Sequence, residues 1–315
     1  MNILNKQTVT LAAVIFLCFT VIPTGLAKRK SGGGGEGGGG GGAHLQKGVE
    51  LAQQKQYDAA IAEFSKAISE NPKDARGYTN RGTAYRASGR LPEAVADFTK
   101  AIEVAPKDEI AYRERGNTQV MQRAYDSAMP DFDKALEIKP DDALTFKYRG
   151  FAELGLNQWD KAVADFTIAI QKDANDPQNY DRRAFAYRGL KNYDAAIADY
   201  AVLLQKNPND AEVLAKRGYT FSLKQEYEKS IVDYEAALKI KPDDYDTVQR
   251  LQYARSALAA KNAPPPTPTP SPAGGGLVTP LNIGIALALV LIIAVVVRLV
   301  TRGKEEPEST STRIR

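Results

Sequence analysis

The sequence predicts an all-α fold built from stacked helical hairpins, a solenoid rather than a globular core. Three observations carry this. First, six segments align at a spacing of 34 residues without insertion, an aromatic returning at Phe64, Phe98, Phe132, Phe166, Tyr200 and Tyr234. Second, small residues precede it by four places (Ala60, Ala94, Ala128, Ala162, Ala196, with Ser230 in the sixth). Prolines follow it by eight (Pro72, Pro106, Pro140, Pro208, Pro242, with Ala174 standing in once). Third, apolar and small positions within a segment fall at spacings of 3, 4 and 7, the period of a helix face. A fixed period of this length marks units that bury their apolar faces only against neighbours.

Residues 75–108 show how one unit is written. Tyr78, Gly82, Tyr85, Leu91, Ala94, Phe98 and Ala101 form the stripes of two amphipathic helices, near 76–88 and 92–104. Gly89 closes the first, and Pro92 sits in the first turn of the second, where its missing N–H costs nothing. Pro106 stops the second helix before the next unit. Gly82 and Ala94 are small because the helices cross there. Pro130 stands inside a second helix, where a small kink is expected.

The positions resemble the tetratricopeptide repeat family: an aromatic early in the first helix (Tyr78, Tyr112, Phe146, Tyr180) and Gly four residues on (Gly82, Gly116, Gly150; Ala184 departs). An aromatic or Leu then opens the second helix (Tyr57, Leu91, Tyr125, Trp159, Tyr193, Tyr227), ahead of the Ala, aromatic and Pro positions above. The match runs over 41–244 as units 41–74, 75–108, 109–142, 143–176, 177–210 and 211–244, with the first unit weakest. The resemblance implies a right-handed solenoid closed by a cap helix over 245–261.

The flanks read differently. Residues 1–27 have the form of an export signal: Lys6, an apolar run from Leu11 to Ile22, then Leu26-Ala27 at the expected cut. An uncleaved anchor is the alternative, because Lys28-Arg29-Lys30 follows directly. Residues 28–42 form a glycine-rich tether and 262–280 a Pro- and Gly-rich linker, before the solenoid 43–261 and after it. Residues 281–300 are long and apolar enough for one transmembrane helix, and 301–315 form a short charged tail. Arg302 and Lys304 place that tail in the cytoplasm and the repeats on the far side. Retention of Lys28-Arg29-Lys30 inside would invert the arrangement.

Composition excludes several functions. The chain has 315 residues and a formal charge of +4, but residues 43–261 hold 33 Lys and Arg against 34 Asp and Glu. The basic excess lies in the flanks beside the membrane segments, so no nucleic-acid face is expected. Cys18 is the single cysteine and His44 the single histidine, so neither a thiol nor a metal centre is expected in the repeats. The glycine runs lack the strand and the Lys-Ser/Thr of a phosphate loop. Trp159 falls on a core position. No cofactor and no catalytic residue are expected, and the sequence leaves the oligomeric state open.

Two columns resemble catalytic pairs but recur in every unit: Lys47, Arg81, Arg115, Arg149, Arg183 and Arg217, against Glu63, Asp97, Asp131, Asp165, Asp199 and Asp233, 16 residues later. Six copies read as structural ion pairs within each hairpin. Specificity must lie in what varies. The resemblance implies that inward positions of the first helices line a concave groove. Those positions hold Asn80, Thr83 and Arg86; Arg113, Asn117, Val120 and Met121; Lys147, Tyr148, Phe151 and Leu154; Gln178, Arg182, Phe185 and Arg188; and Lys216, Tyr219 and Leu223. Aromatic and basic residues interleaved in this way suit a peptide with apolar anchors and acidic character. The carboxylate clamp of chaperone-tail receptors maps onto Arg113, Asn117, Tyr148, Gln178 and Arg182, and departs at Tyr148 and Gln178.

The expectation is a non-enzymatic, membrane-anchored protein-interaction scaffold on the extracytoplasmic side. Its alternatives are a cytoplasm-facing tethered receptor or co-chaperone, and an accessory subunit of a cell-envelope enzyme complex.

Overall fold

The structure, a computed structural model, describes residues 41–263. The expected export signal, the membrane segment 281–300 and the tail lie outside the described residues, as do nearly all of the tether and linker. Among the described residues no helix is long and apolar enough to cross a membrane.

Thirteen helices follow one another, and no strand occurs among the described residues. Hairpin one pairs α1 (Gly41–Gln53) with α2 (Tyr57–Glu70), and hairpin two α3 (Ala75–Ala87) with α4 (Leu91–Val104). Then come α5 (Glu109–Met121) with α6 (Tyr125–Ile138), α7 (Ala143–Gly155) with α8 (Trp159–Lys172), α9 (Pro177–Gly189) with α10 (Tyr193–Lys206), and α11 (Ala211–Leu223) with α12 (Tyr227–Ile240). The cap helix α13 spans Tyr245–Asn262. The first helix starts at Gly41, inside the stretch expected as tether. Helix α6 runs through Pro130 without a break in the assigned span. Its ring and Asp126, whose carbonyl loses a donor, are both exposed, so water can serve the orphaned acceptor.

The helix boundaries have chemical causes. Asp74, Asp108, Asp142, Asp176 and Asp210 are N-caps of the first helices, each carboxylate accepting a backbone N–H two or three residues on, at 2.9–3.3 Å. The turn inside every hairpin places one residue in the left-handed region: Lys55, Gly89, Arg123, Asn157, Lys191 and Gln225, with φ between 58° and 82°. The amide that follows donates back across that turn, as Asn192 does to the Tyr187 carbonyl at 2.8 Å. Only the second unit uses glycine for this φ.

Packing inside each hairpin joins the ring to the glycine. Phe64, Phe98, Phe132, Phe166, Tyr200 and Tyr234 are fully buried. A methyl group at Gly116 would sit 2.8 Å from the Phe132 ring, and one at Gly150 would sit 3.0 Å from Phe166. The absent side chain is therefore the space the ring fills.

The Arg–Asp columns form bidentate pairs. Arg115 donates from Nε and Nη2 to Asp131 at 2.8 and 2.7 Å, and Arg81, Arg149, Arg183 and Arg217 repeat this with Asp97, Asp165, Asp199 and Asp233. The third nitrogen extends the ladder beyond one hairpin. Nη1 of Arg81, Arg115, Arg149 and Arg183 donates backward to Ser65, Thr99, Asp133 and Thr167 of the preceding unit at 2.8–3.0 Å. The sixth unit meets Ala201 at this place, which can accept nothing. In the first unit Glu63 takes His44, Lys66 and Lys47 instead, and these bonds hold its carboxyl down at about 2.

Candidate functional site

Consecutive first helices approach one another, α1 with α3, α3 with α5, α5 with α7 and α7 with α9, whereas second helices touch mainly their own partners and the next first helix. The first helices therefore form the inner row, the face on which the varying residues were expected. Helices α9 and α11 are bridged by the Lys216–Asp181 pair and by Arg188 over the Tyr219 ring. There a cleft of about 360 Å³ opens, lined by Gln178, Asp181, Arg182, Val213 and Lys216 and floored by the end of α10.

The inner row divides into two halves of different chemistry. In units 2 to 4 its charges are internally satisfied. Arg86 pairs with Glu114 at 2.7 Å. Arg113 reaches the same Glu114 at 3.1 Å and the helix-capping Asp142 at 2.9 Å. Asp142 also accepts from the Thr145 hydroxyl at 2.5 Å. Burial opposes the charge on Glu114, but Arg86 and Arg113 outweigh it and keep its pKa below the ordinary value. Lys147 copies Arg113 one unit later, donating to the cap Asp176 at 2.7 Å. These cations join a first helix to the N-cap of the next.

This placement corrects part of the expected groove. Arg113 is 6% and Asn117 4% exposed, so neither is open to a partner. Val120 and Leu154 are likewise buried core. Burial raises the Tyr148 phenol above its usual pKa, with the Glu114 charge adding to it. The clamp positions Arg113, Asn117, Tyr148, Gln178 and Arg182 therefore do not converge on one open site: the first two are buried while Gln178 is exposed at the edge of the cleft. Asn80 is half-buried at the N-terminal end of the row.

From unit 4 onward the row changes. Two neighbouring columns become basic (Arg182, Lys216, Arg250) and aromatic (Phe151, Phe185, Tyr219), each stepping by the 34-residue period. The Arg182 guanidinium lies 5.6 Å from the Phe151 ring centre, Arg188 5.3 Å from Phe185 and 5.4 Å from Tyr219, and Arg250 4.6 Å from Tyr219. Phe151 and Phe185 also back onto the core, edge-on to Phe166 and Trp159 at 5.5 and 5.8 Å. All three aromatics keep a partly open face. Lys216 is paired with Asp181 and Glu212 at 2.7 and 2.8 Å, and Arg182 reaches only Asp181, at 3.8 Å. Arg188 and Arg250 have no ion-pair partner among the described residues. Arg250 was absent from the expected groove, although it continues the column of Arg182 and Lys216 by one period.

One buried acid stands outside both halves. Glu153, on α7, is 3% exposed, and its Oε2 has no hydrogen-bond partner among the described residues. Equivalent positions hold Leu51, Tyr85, Gln119, Tyr187 and Phe221. Burial, reinforced by Asp165, pushes its carboxyl up to about 8. No group of His, Cys, Asp and Glu among the described residues is placed to hold a metal ion.

A row of helical hairpins with an invariant frame and a variable inner face defines a repeat scaffold for protein–protein interaction. Profiles described as tetratricopeptide repeat match residues 45–103, 79–143, 178–210 and 211–244, together just over half of the chain. The chain belongs to the tetratricopeptide repeat family. Over 48 residues it is 46% identical to the Hsp70-Hsp90 organizing protein of Triticum aestivum and 44% to Hsp70-Hsp90 organizing protein 1 of Glycine max. Each match covers 15% of this chain and 8% of the relative, so the chain spans less than a tenth of their length. Among solved structures it resembles YrrB, described as a TPR protein with an unusual peptide-binding site (26% identity, TM-score 0.54, 61% of this chain and 97% of that one). The Pseudomonas aeruginosa pilF structure (16% identity, TM-score 0.58, 69% and 97%) and Cut9–Hcn1 of the APC/C (19%, 0.57, 68% and 42%) show the same fold.

Proposed function

We propose that this chain is a membrane-anchored scaffold that binds peptide segments of partner proteins on the inner face of its first helices. The observation that carries this is the row Phe151, Phe185 and Tyr219, three partly open aromatics interleaved with guanidinium groups on the one face that varies between units. The likeness to a structure described by its peptide-binding site supports the same use of the fold. Contact residues are Phe151, Arg182, Phe185, Arg188 and Tyr219, with Gln178 at the edge of the cleft.

The anchor is the apolar segment 281–300, and the flanking Arg302 and Lys304 support display of the repeats outside the cytoplasmic membrane. A second reading rests on Lys28-Arg29-Lys30, whose retention inside would turn the array toward the cytoplasm. Protease added to spheroplasts separates them: digestion of the repeats is expected, and their protection would sink the extracytoplasmic display. For the binding face, a photo-crosslinking amino acid at position 185 of the full chain should capture a partner segment. Capture only from positions on the second helices, such as Glu137, would place recognition elsewhere.

A further inference from the structure

The groove reading above leaves open which peptides bind and where along the row, and the two halves answer both. In units 2 to 4 every inner cation already has its carboxylate: Arg86 and Arg113 share Glu114, Arg113 also holds Asp142, and Lys147 holds Asp176. A partner would have to break those pairs to use them. At the other end Arg188 and Arg250 bring two guanidinium groups to one ring, Tyr219, at 5.4 and 4.6 Å, with no anion between them among the described residues. Two like charges drawn to one ring repel each other, and an added carboxylate relieves that repulsion while keeping both stacking contacts.

A second observation points to the same place. In units 5 and 6 the core ring is tyrosine where the four earlier units have phenylalanine. The Tyr200 hydroxyl is fully buried and has no hydrogen-bond partner among the described residues. Burial raises its pKa, and the charges that act on it belong to this end of the row, Arg188 first. A buried donor without a hydrogen-bond partner among the described residues thus lies in the field of Arg188, one of the two unpaired arginines.

We propose that α9, α11 and α13 form an acidic-peptide site, in which Arg188 and Arg250, both stacked on Tyr219, receive Asp or Glu side chains of an extended partner segment, and Phe185 seats an apolar neighbour. This makes the cap helix part of the recognition surface and confines charge recognition to the C-terminal end of the row. It rests on the groove reading, and the test separates the two.

The purified full-length chain is titrated with a fluorescent, C-terminally amidated peptide carrying several Glu around one Phe, and with its Gln counterpart as amide and as free acid. The Glu peptide is expected to bind at least about tenfold more tightly, and to weaken as salt rises. Arg188→Ala and Arg250→Ala should each weaken it about tenfold, Arg188→Lys and Arg250→Lys less, and the exposed Lys107→Ala not at all. Melting curves confirm that each variant is folded. Equal binding of Glu and Gln amides, with crosslinking still at position 185, overturns the acidic-peptide site and leaves the groove standing. No crosslink at 185 with any peptide sinks both. A preference seen only with the free-acid Gln peptide assigns the arginines to a chain terminus and refutes the side-chain assignment. Loss of phosphatidylglycerol-vesicle binding in the Arg variants with peptide binding intact assigns them to a membrane surface and refutes it as well.

Discussion

At the residue scale the rung arginines and Glu153 are opposite cases of buried charge. Asp165 is 4% exposed and receives both Arg149 bonds, so Arg149→Leu strands a carboxylate with its desolvation uncompensated. The expected loss is about 3–5 kcal/mol in urea unfolding, whereas Lys47→Leu, whose side chain is 62% exposed, should cost far less. Replacing both members, Arg149→Met with Asp165→Leu, should recover most of it, because no charge is then left behind. Glu153 has no partner to lose. The unfolded chain releases this proton near pH 4.5 while the folded chain keeps it to about 8. Stability therefore falls as pH rises across that window and levels off above it. Between pH 6 and pH 8.5 the wild type should lose about 2–3 kcal/mol more than Glu153→Gln does. Equal slopes for the two proteins would show that Glu153 is already ionised in the fold.

At the element scale the hairpin turn is the place where backbone geometry and residue choice disagree. Five of six turns force a side chain into the left-handed region, and only Gly89 suits it. Each misfit costs about 1 kcal/mol. Lys191→Gly and Gln225→Gly should therefore raise the melting temperature, by about 0.5–1 kcal/mol of stability each. Asn157→Gly should gain least, since Asn tolerates this φ best. Gly89→Ala should lose a similar amount. These turns were legible from position alone: the 34-residue register carries the Gly89 conformation to residues that do not advertise it. Four of the five Asp caps were legible too, in a Pro-x-Asp pattern, with Asp176, after Ala174-Asn175, the exception. The destinations of Arg113 and Lys147 were not. Each spans 29 residues to the cap of the next hairpin, so neither column nor helix wheel shows the partner, and both look like free groove cations until packing is known.

At the scale of the whole array, the period separates frame from face, because whatever the frame needs must recur in every unit. The ring, glycine, rung and cap recur, and their roles follow from sequence. The inner row does not recur, and there sequence pattern identifies candidates without showing which are spent on packing. Arg113, Asn117, Val120 and Leu154 turned inward for that reason. Arg250 escaped for the opposite one: it keeps the register of Arg182 and Lys216, but lies in a segment whose visible pattern is only the apolar stripe of a cap.

The backward reach of the rung arginines has a mechanical consequence. Across four joints the third guanidinium nitrogen of the rung bonds the preceding hairpin. At the fifth, where the register sets Ala201 against Arg217, that bond is missing, and the joint keeps apolar contacts such as Leu203, Leu204, Val213 and Leu214 with the lysine pairs Lys216–Asp181 and Lys224–Asp194. Apolar faces slide at little cost and an ammonium on a flexible stem fixes direction less than a guanidinium fork, so this joint is the more compliant one, a wrist beside the unpaired arginines. Spin labels at the exposed pair Gln205 and Lys239, in a Cys18→Ser background, should give a broader distance distribution than the equivalent pair Glu103 and Glu137. Restoring an acceptor with Ala201→Thr should narrow it.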